Sequence, residues 1–252
     1  MENCDRTGEA SPHRAAYPKG LHLLSHPDET NGYNRHNSHL LIISLLVCGS
    51  LFLFTKKSNA QSNIVPDNTL GDEKSIVTPD NSASQELITG GAQRGQNLFH
   101  SFQEFNISEG SGAYFVSPNA NIANIFSRVT GNNVSEIFGT LGTLGASQPD
   151  LFLINPNGII FGENASLDVG GSFLATTADS IQFGEQDFFS ASNPETPPLL
   201  TIQPSALVVN QLNPGRIENN SVAPAGTDPT GSSSFFGLRV PDGESLSLLG
   251  VM

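Results

Sequence analysis

From Ser62 onward the chain alternates short apolar clusters with turn residues and has no stretch of ten residues at helical period. Clusters fall at 125–129, 137–141, 151–154, 159–161, 167–169, 173–175 and 181–183, and Gly, Asn, Asp, Ser or Pro fills nearly every gap. This spacing predicts strands. The centres Ile160, Leu167, Leu174 and Gln182 lie seven or eight residues apart. Three such steps make a turn of about twenty residues, the size of one coil in a stacked solenoid.

Two all-β architectures compete. An antiparallel sandwich calls for two-residue hairpins, and Asn157-Gly158 fits one. Most other gaps carry single Gly or Asn residues, which suit the corners of a right-handed parallel β-helix, with Ile, Val, Leu and Phe stacked inside and Asn ladders at the corners. The expectation is this β-helix with an N-terminal cap and small extra-helical β elements. At about 20 residues and ~4.8 Å per coil, the rod would be about 45 Å long. The cap is placed at 64–109, with Phe99, Phe102 and Phe105 as its aromatic cluster. Segment 193–204 is too rich in Pro for a central strand and is expected to leave the coil. Segment 228–234 reads as a loop before two last strands at 235–240 and 245–249.

The one long apolar run, 40–54, has 15 residues, short for a helical membrane span. Small residues at Ser58 and Ala60 follow it, the layout of a signal peptide cleaved after Ala60. An uncleaved anchor, suggested by Lys56 and Lys57, and a lipoprotein through Cys48 are the competing readings. The expected division is a leader, 1–60, and a domain, 61–252, with no stable membrane insertion after cleavage. The long segment before the run leaves the start codon open.

Trimming changes the composition. The whole chain carries -13. The leader holds six of the 11 basic and five of the 24 acidic residues, leaving 5 basic against 19 acidic, or -14. A body this acidic is a poor partner for nucleic acid or an anionic membrane. Both cysteines, Cys4 and Cys48, fall in the leader, and His100 and Lys74 are the only His and Lys after it. Thiol, Cys/His zinc and lysine Schiff-base chemistry therefore need residues that are absent or single, and no metal or cofactor is expected. The carboxylates Asp150, Glu163, Asp168, Asp179 and Glu185 form no sequence cluster of the kind a polysaccharide-cleaving β-helix would use. They read as solvated acids at corners. Gly90 to Gly95, GGAQRG, lacks the strand-then-helix context of a phosphate loop. The sharpest motif is NPNGIIFG from Asn155 to Gly162. Asn155 can bond the backbone two residues on, Pro156 pre-sets φ, and Asn157 and Gly158 accept positive φ. It reads as a rigid turn, or, if exposed, a recognition element.

That motif and an ordered series of blocks resemble the haemagglutination-activity, or two-partner secretion (TPS), domain of filamentous haemagglutinin-like exoproteins, in wording similar to cyanobacterial members. The blocks are SNIVPDNTLGDEKSIV, ITGGAQRGQNLFHSFQEF, IFSRVTGNNVSEIFGTL, NASLDVGGSFLATTADSIQF and PPLLTI. The resemblance implies a right-handed parallel β-helix with a pectin lyase-like fold. It also implies a secretion-signal role without catalysis, recognised in the periplasm by the POTRA domains of an Omp85/TpsB-type outer-membrane β-barrel. Asn155, Pro156, Asn157 and Gly158 match its secretion-linked signature, and Arg94, Asn97, Phe99 and His100 match a block with a structural role. Two departures stand out: GASQPDLFLINPNG precedes and includes the turn where relatives read GANLFLINPNG, and the sequence stops where another coil would begin. The effector portion is thus missing, and the expectation is a truncated gene product, one piece of a split gene or a stand-alone domain. Competing functions are a stand-alone adhesive module for a host or cell-surface glycan, or a β-helix polysaccharide-cleaving enzyme.

Overall fold

The computed structural model describes residues 62–80, 83–195, 200–210, 215–228 and 230–250. The expected signal peptide, its run 40–54 and Ala60 lie outside the described residues. Among those described, no helix is long and apolar enough to cross a membrane. The domain is built almost wholly of strands, with one short 3-10 turn at Gly71–Glu73.

Five strands open it: β1 (Asn63–Pro66), β2 (Ser75–Asp80), β3 (Gln85–Gly90), β4 (Ala92–Arg94) and β5 (Asn97–Asn106). β1 and β4 pair antiparallel with β5, and β2 antiparallel with β3. β3 and β5 themselves begin the parallel ladders. The cap is therefore β1, β2 and β4, while Phe99, Phe102 and Phe105 sit on the first coil strand and not in a separate plug. A cap made this way covers the strand edges that an open solenoid end would leave unpaired.

The chain then winds through three faces in turn. The first face stacks β5, β7 (Asn124–Val129), β10 (Asp150–Ile154) and β13 (Phe173–Thr176). The second begins at Ile107, bridged to Ile137, and continues with β8 (Ser135–Ile137) and β11 (Ile159–Phe161). The third stacks β3, β6 (Gly112–Ser117), β9 (Thr140–Gly145) and β12 (Ser166–Asp168). All these pairs are parallel, so the fold is a parallel β-solenoid and not a sandwich. The register runs Leu98, Ile125, Leu151, Phe173, steps of 27, 26 and 22 residues. The expected rod of about 45 Å is too long. Among the described residues about three coils form, because the cap and the later excursions take up residues that the estimate assigned to coils.

After β13 the chain leaves the coil. β14 (Ser180–Phe183), β15 (Asp187–Ser190) and β16 (Pro204–Val208) make an antiparallel sheet in the order β15, β14, β16. The cluster at 181–183 thus belongs to the excursion, not to a further coil face. The chain returns as β17 (Ile217–Asn219) on β11, makes the hairpin β18 (Pro224–Thr227) and β19 (Ser234–Phe236), and ends as β20 (Leu246–Leu249) on β13. The two last strands expected at 235–240 and 245–249 are β19 and β20, but β19 is shorter than expected: it stops at Phe236, and Leu238 and Val240 only pack against the core.

Two cores follow from strand alternation. Leu98, Phe102, Ile125, Leu151, Leu153 and Phe173 point into the solenoid. Their alternates point outward, and Phe99, Phe126 and Phe152 stack with centroids 5.2 and 4.5 Å apart. The excursion covers this column with Ile181, Phe183 and Phe189. Each such buried side chain contributes about 1.5–3 kcal/mol.

Candidate functional site

The NPNG turn joins β10 to β11. The Asn155 carbonyl accepts from the Gly158 N–H at 3.1 Å, closing the turn. The Asn155 side-chain oxygen accepts from the Asn157 N–H at 3.0 Å, the local Asx bond the residue type supplies. Asn is at the first position, Pro at the second and Gly at the fourth, a type I pattern. In keeping with that, Gly158 has φ +126° and Asn157 does not adopt positive φ, contrary to the sequence expectation.

The turn is not exposed. Asn155 is 0% accessible, Pro156 and Gly158 are buried, and Asn157 is half-buried. The side-chain amides face inward. Asn155 Nδ2 donates to the Asn133 carbonyl and Ser135 Oγ, both at 3.0 Å, and Asn157 Nδ2 donates to the Gly131 carbonyl at 2.8 Å. These bonds reach back one coil. Forward, the Gly215 N–H donates to the Pro156 carbonyl at 2.7 Å, and the Ile159 N–H donates to the Arg216 carbonyl at 3.1 Å. A Cβ at Gly215 would lie 2.1 Å from the Asn157 carbonyl carbon, so only glycine lets this returning segment lie on the turn. The turn stitches the coil before it to the strand after it, and leaves no free amide pair of the kind an exposed recognition element would offer.

The second predicted group lies on β4 and β5, away from the turn. Arg94 makes a bidentate pair with Glu73 of the cap at 2.9 and 2.7 Å. Asn97 donates to the carbonyls of Leu200 and Ile202 and accepts from Asn124 Nδ2 at 2.8 Å, an Asn ladder of the expected kind that also holds the excursion. Phe99 stacks on Phe126. His100 is fully buried beside Phe115, with ring centroids 5.1 Å apart, and Nδ1 lies 3.0 Å from Ser75 Oγ. Burial drives its pKa down to about 3, so the imidazole is neutral.

Sequence reasoning missed a polar hub beside it. Arg128, 1% exposed, donates from Nε to Ser101 Oγ, from Nη1 to the Ser190 carbonyl, and from Nη2 to Thr69 Oγ1 and the Glu195 carbonyl. Its guanidinium also lies 4.4 Å from the Phe189 ring centroid. Burial lowers its pKa to about 10, partly offset by Asp67. Burial pushes the Asp67 carboxyl up, but hydrogen bonds from Thr130, Thr69 and Ser101 outweigh that and hold it low. Cap, coil and excursion meet at this one charge. Its signal was a lone cation inside the apolar strand IFSRV.

The carboxylates considered for catalysis are dispersed. Asp150 caps the Ser172 N–H and Asp168 ends β12, while Glu163 and Glu185 are exposed. Asp179 is not a solvated corner acid: it is buried and accepts from Ser192 Oγ. Among the described residues, no group of three or more His, Cys, Asp or Glu could hold a metal ion.

Fold and turn together define a capped β-solenoid module closed by an internal Asn-Pro-Asn-Gly staple. The TPS secretion domain family model matches residues 62–250, and the chain belongs to that family. TPS domains are the secretion domains of exoproteins exported by two-partner systems; they work with a TpsB outer-membrane transporter, and the exoproteins reach the cell surface or the extracellular space. The family is not a known enzyme family. Two heme/hemopexin-binding proteins from Haemophilus influenzae are similar. One is 37% identical over 84 residues, 33% of this chain and 9% of its own length; the other is 30% identical over 139 residues, 54% and 14%. The chain thus spans a small part of these relatives. The crystal structure of the HMW1 secretion domain from Haemophilus influenzae is 28% identical, covering 47% of this chain and 27% of that one, with a TM-score of 0.34.

Proposed function

We propose that residues 61–252 are the secretion signal of an adhesin-like, filamentous haemagglutinin-type exoprotein. The leader delivers it to the periplasm, where the POTRA domains of an Omp85/TpsB-type barrel recognise it. The family match over the whole described solenoid, 62–250, carries this reading. The domain has no cysteine after Cys48, so no disulfide has to be made or broken around a translocation step.

Asn155, Pro156, Asn157 and Gly158 serve export through coil closure, because their amides are spent on Gly131, Asn133 and Ser135. The transporter then reads the surface of a closed coil and not the turn itself. The test is release into the medium from cells carrying the partner barrel. Deleting its POTRA domains abolishes release, and Asn155→Ala and Gly215→Ala each lower it. Release that ignores the POTRA deletion overturns the transporter assignment. A loss with Asn155→Ala but none with Gly215→Ala overturns the closure reading alone.

A further inference from the structure

The last coil is incomplete on one face. On the first face β20 pairs with β13, and on the second β17 pairs with β11, but on the third β12 is the terminal strand, and no strand among the described residues extends its ladder. Residues 237–241 pass nearby without pairing with it, and their Leu238 and Val240 pack against the core. Between them and β12 lies a cleft of about 370 Å³, lined by Ser166, Leu167, Asp168, Ala225, Arg239 and Val240 among others.

The backbone of β12 makes this cleft a strand acceptor. The Ser166 N–H donates back to the Gly139 carbonyl at 3.2 Å. In a parallel ladder the donors alternate sides, so Ser166 and Asp168 serve β9 while the N–H and C=O of Leu167 face the vacancy. An added strand would meet those groups, continue the third face, and cover Leu167, which packs only partly buried against the core. The outward column at this level runs Tyr114, Gly142, Asp168 in register. Tyr114 lies across Gly142 and hydrogen-bonds Asp168. Asp168 itself is exposed at the end of the column. The neighbouring cation, Arg239, is engaged by the Ala225 carbonyl and Asp242 at 2.9 and 2.8 Å. The local charge open to a partner is therefore negative, as is the domain at large.

We propose that the vacant position beside β12 accepts an extended strand from a second protein, apolar on its inward positions and cationic on its outward ones. This site is independent of the export reading: it concerns a different face and no residue of the turn. Strand addition of this kind draws affinity from main-chain bonds and specificity from alternate side chains.

The test uses the full chain and three synthetic peptides: alternating lysine and valine, alternating glutamate and valine, and the lysine peptide with a central proline. Binding is read by fluorescence anisotropy and the site by amide hydrogen exchange. The lysine peptide is expected to bind and to slow exchange at Leu167, while the other two do neither. Asp168→Asn should weaken it about three-fold, the scale of one partly exposed charge pair. Leu167→Pro, which removes the outward N–H and none of the β9 bonds, should abolish it. Equal binding of the proline peptide, or binding without protection at Leu167, means mere attraction to an acidic surface and overturns the proposal. So does concentration-dependent protection of Leu167 without peptide, which would make the occupant a second copy of the chain.

Discussion

Acid should loosen this domain through one side chain. His100 is 0% accessible, packed against Phe115 and Phe102, and its pKa falls from 6.5 to about 3 because burial disfavours the imidazolium. The folded-state value lies below the unfolded one, so between them the unfolded chain binds the extra proton. Stability is full above about pH 6.5, is lost as pH falls toward 3, and changes no further below that. The linkage integral gives a loss of about 2 kcal/mol between pH 7 and pH 5 and about 3 kcal/mol by pH 4. Urea unfolding followed by circular dichroism measures it, with His100→Gln as the reference. That variant starts lower because it disturbs the Ser75 contact, but it lacks the titration. The difference between the two proteins cancels every other ionising group. Equal slopes from pH 7 to pH 5 in both would show that His100 is not held neutral, and would refute the reasoning.

Two further substitutions probe the closures. Gly215→Ala should cost about 1–3 kcal/mol as an overpacking change, and should speed hydrogen exchange at Ile159, whose N–H bonds to the Arg216 carbonyl; unaltered exchange would mean that the segment does not seat on the turn. Arg128→Met should cost about 3–5 kcal/mol in chemical denaturation, as for one partner removed from a buried ionic network. Arg128→Lys should not restore it, since one ammonium cannot span Ser101, Ser190 and Glu195.

Much of the coil was legible. LFLI at 151–154 is apolar at four consecutive positions, the mark of a strand buried on both faces, and it is β10. The clusters at 125–129, 159–161, 167–169 and 173–175 fall on β7, β11, β12 and β13. A sharper period lay unread. Asn97-Leu98-Phe99, Asn124-Ile125-Phe126 and Asp150-Leu151-Phe152 repeat one pattern at one-coil spacing, and the register aligns them residue for residue. The NPNG turn was legible as a turn but not as a buried one, because what covers it, Gly215 and Arg216, lies far along the chain and bears no local mark.

The sequence by itself determined which residues form strands and which form corners. Apolar runs, Pro156 and the corner glycines act within a few residues, where sterics and burial preference decide. Only the tertiary structure decided where the cap ends, that 181–183 folds outside the coil, that Arg128 is interior, and that β12 lacks a second neighbour among the described residues. Each of these depends on contacts between distant segments, such as Asn97 with Leu200 across 103 residues. A continuous apolar run says that both faces of a strand are apolar; it does not say which distant segment will cover the second.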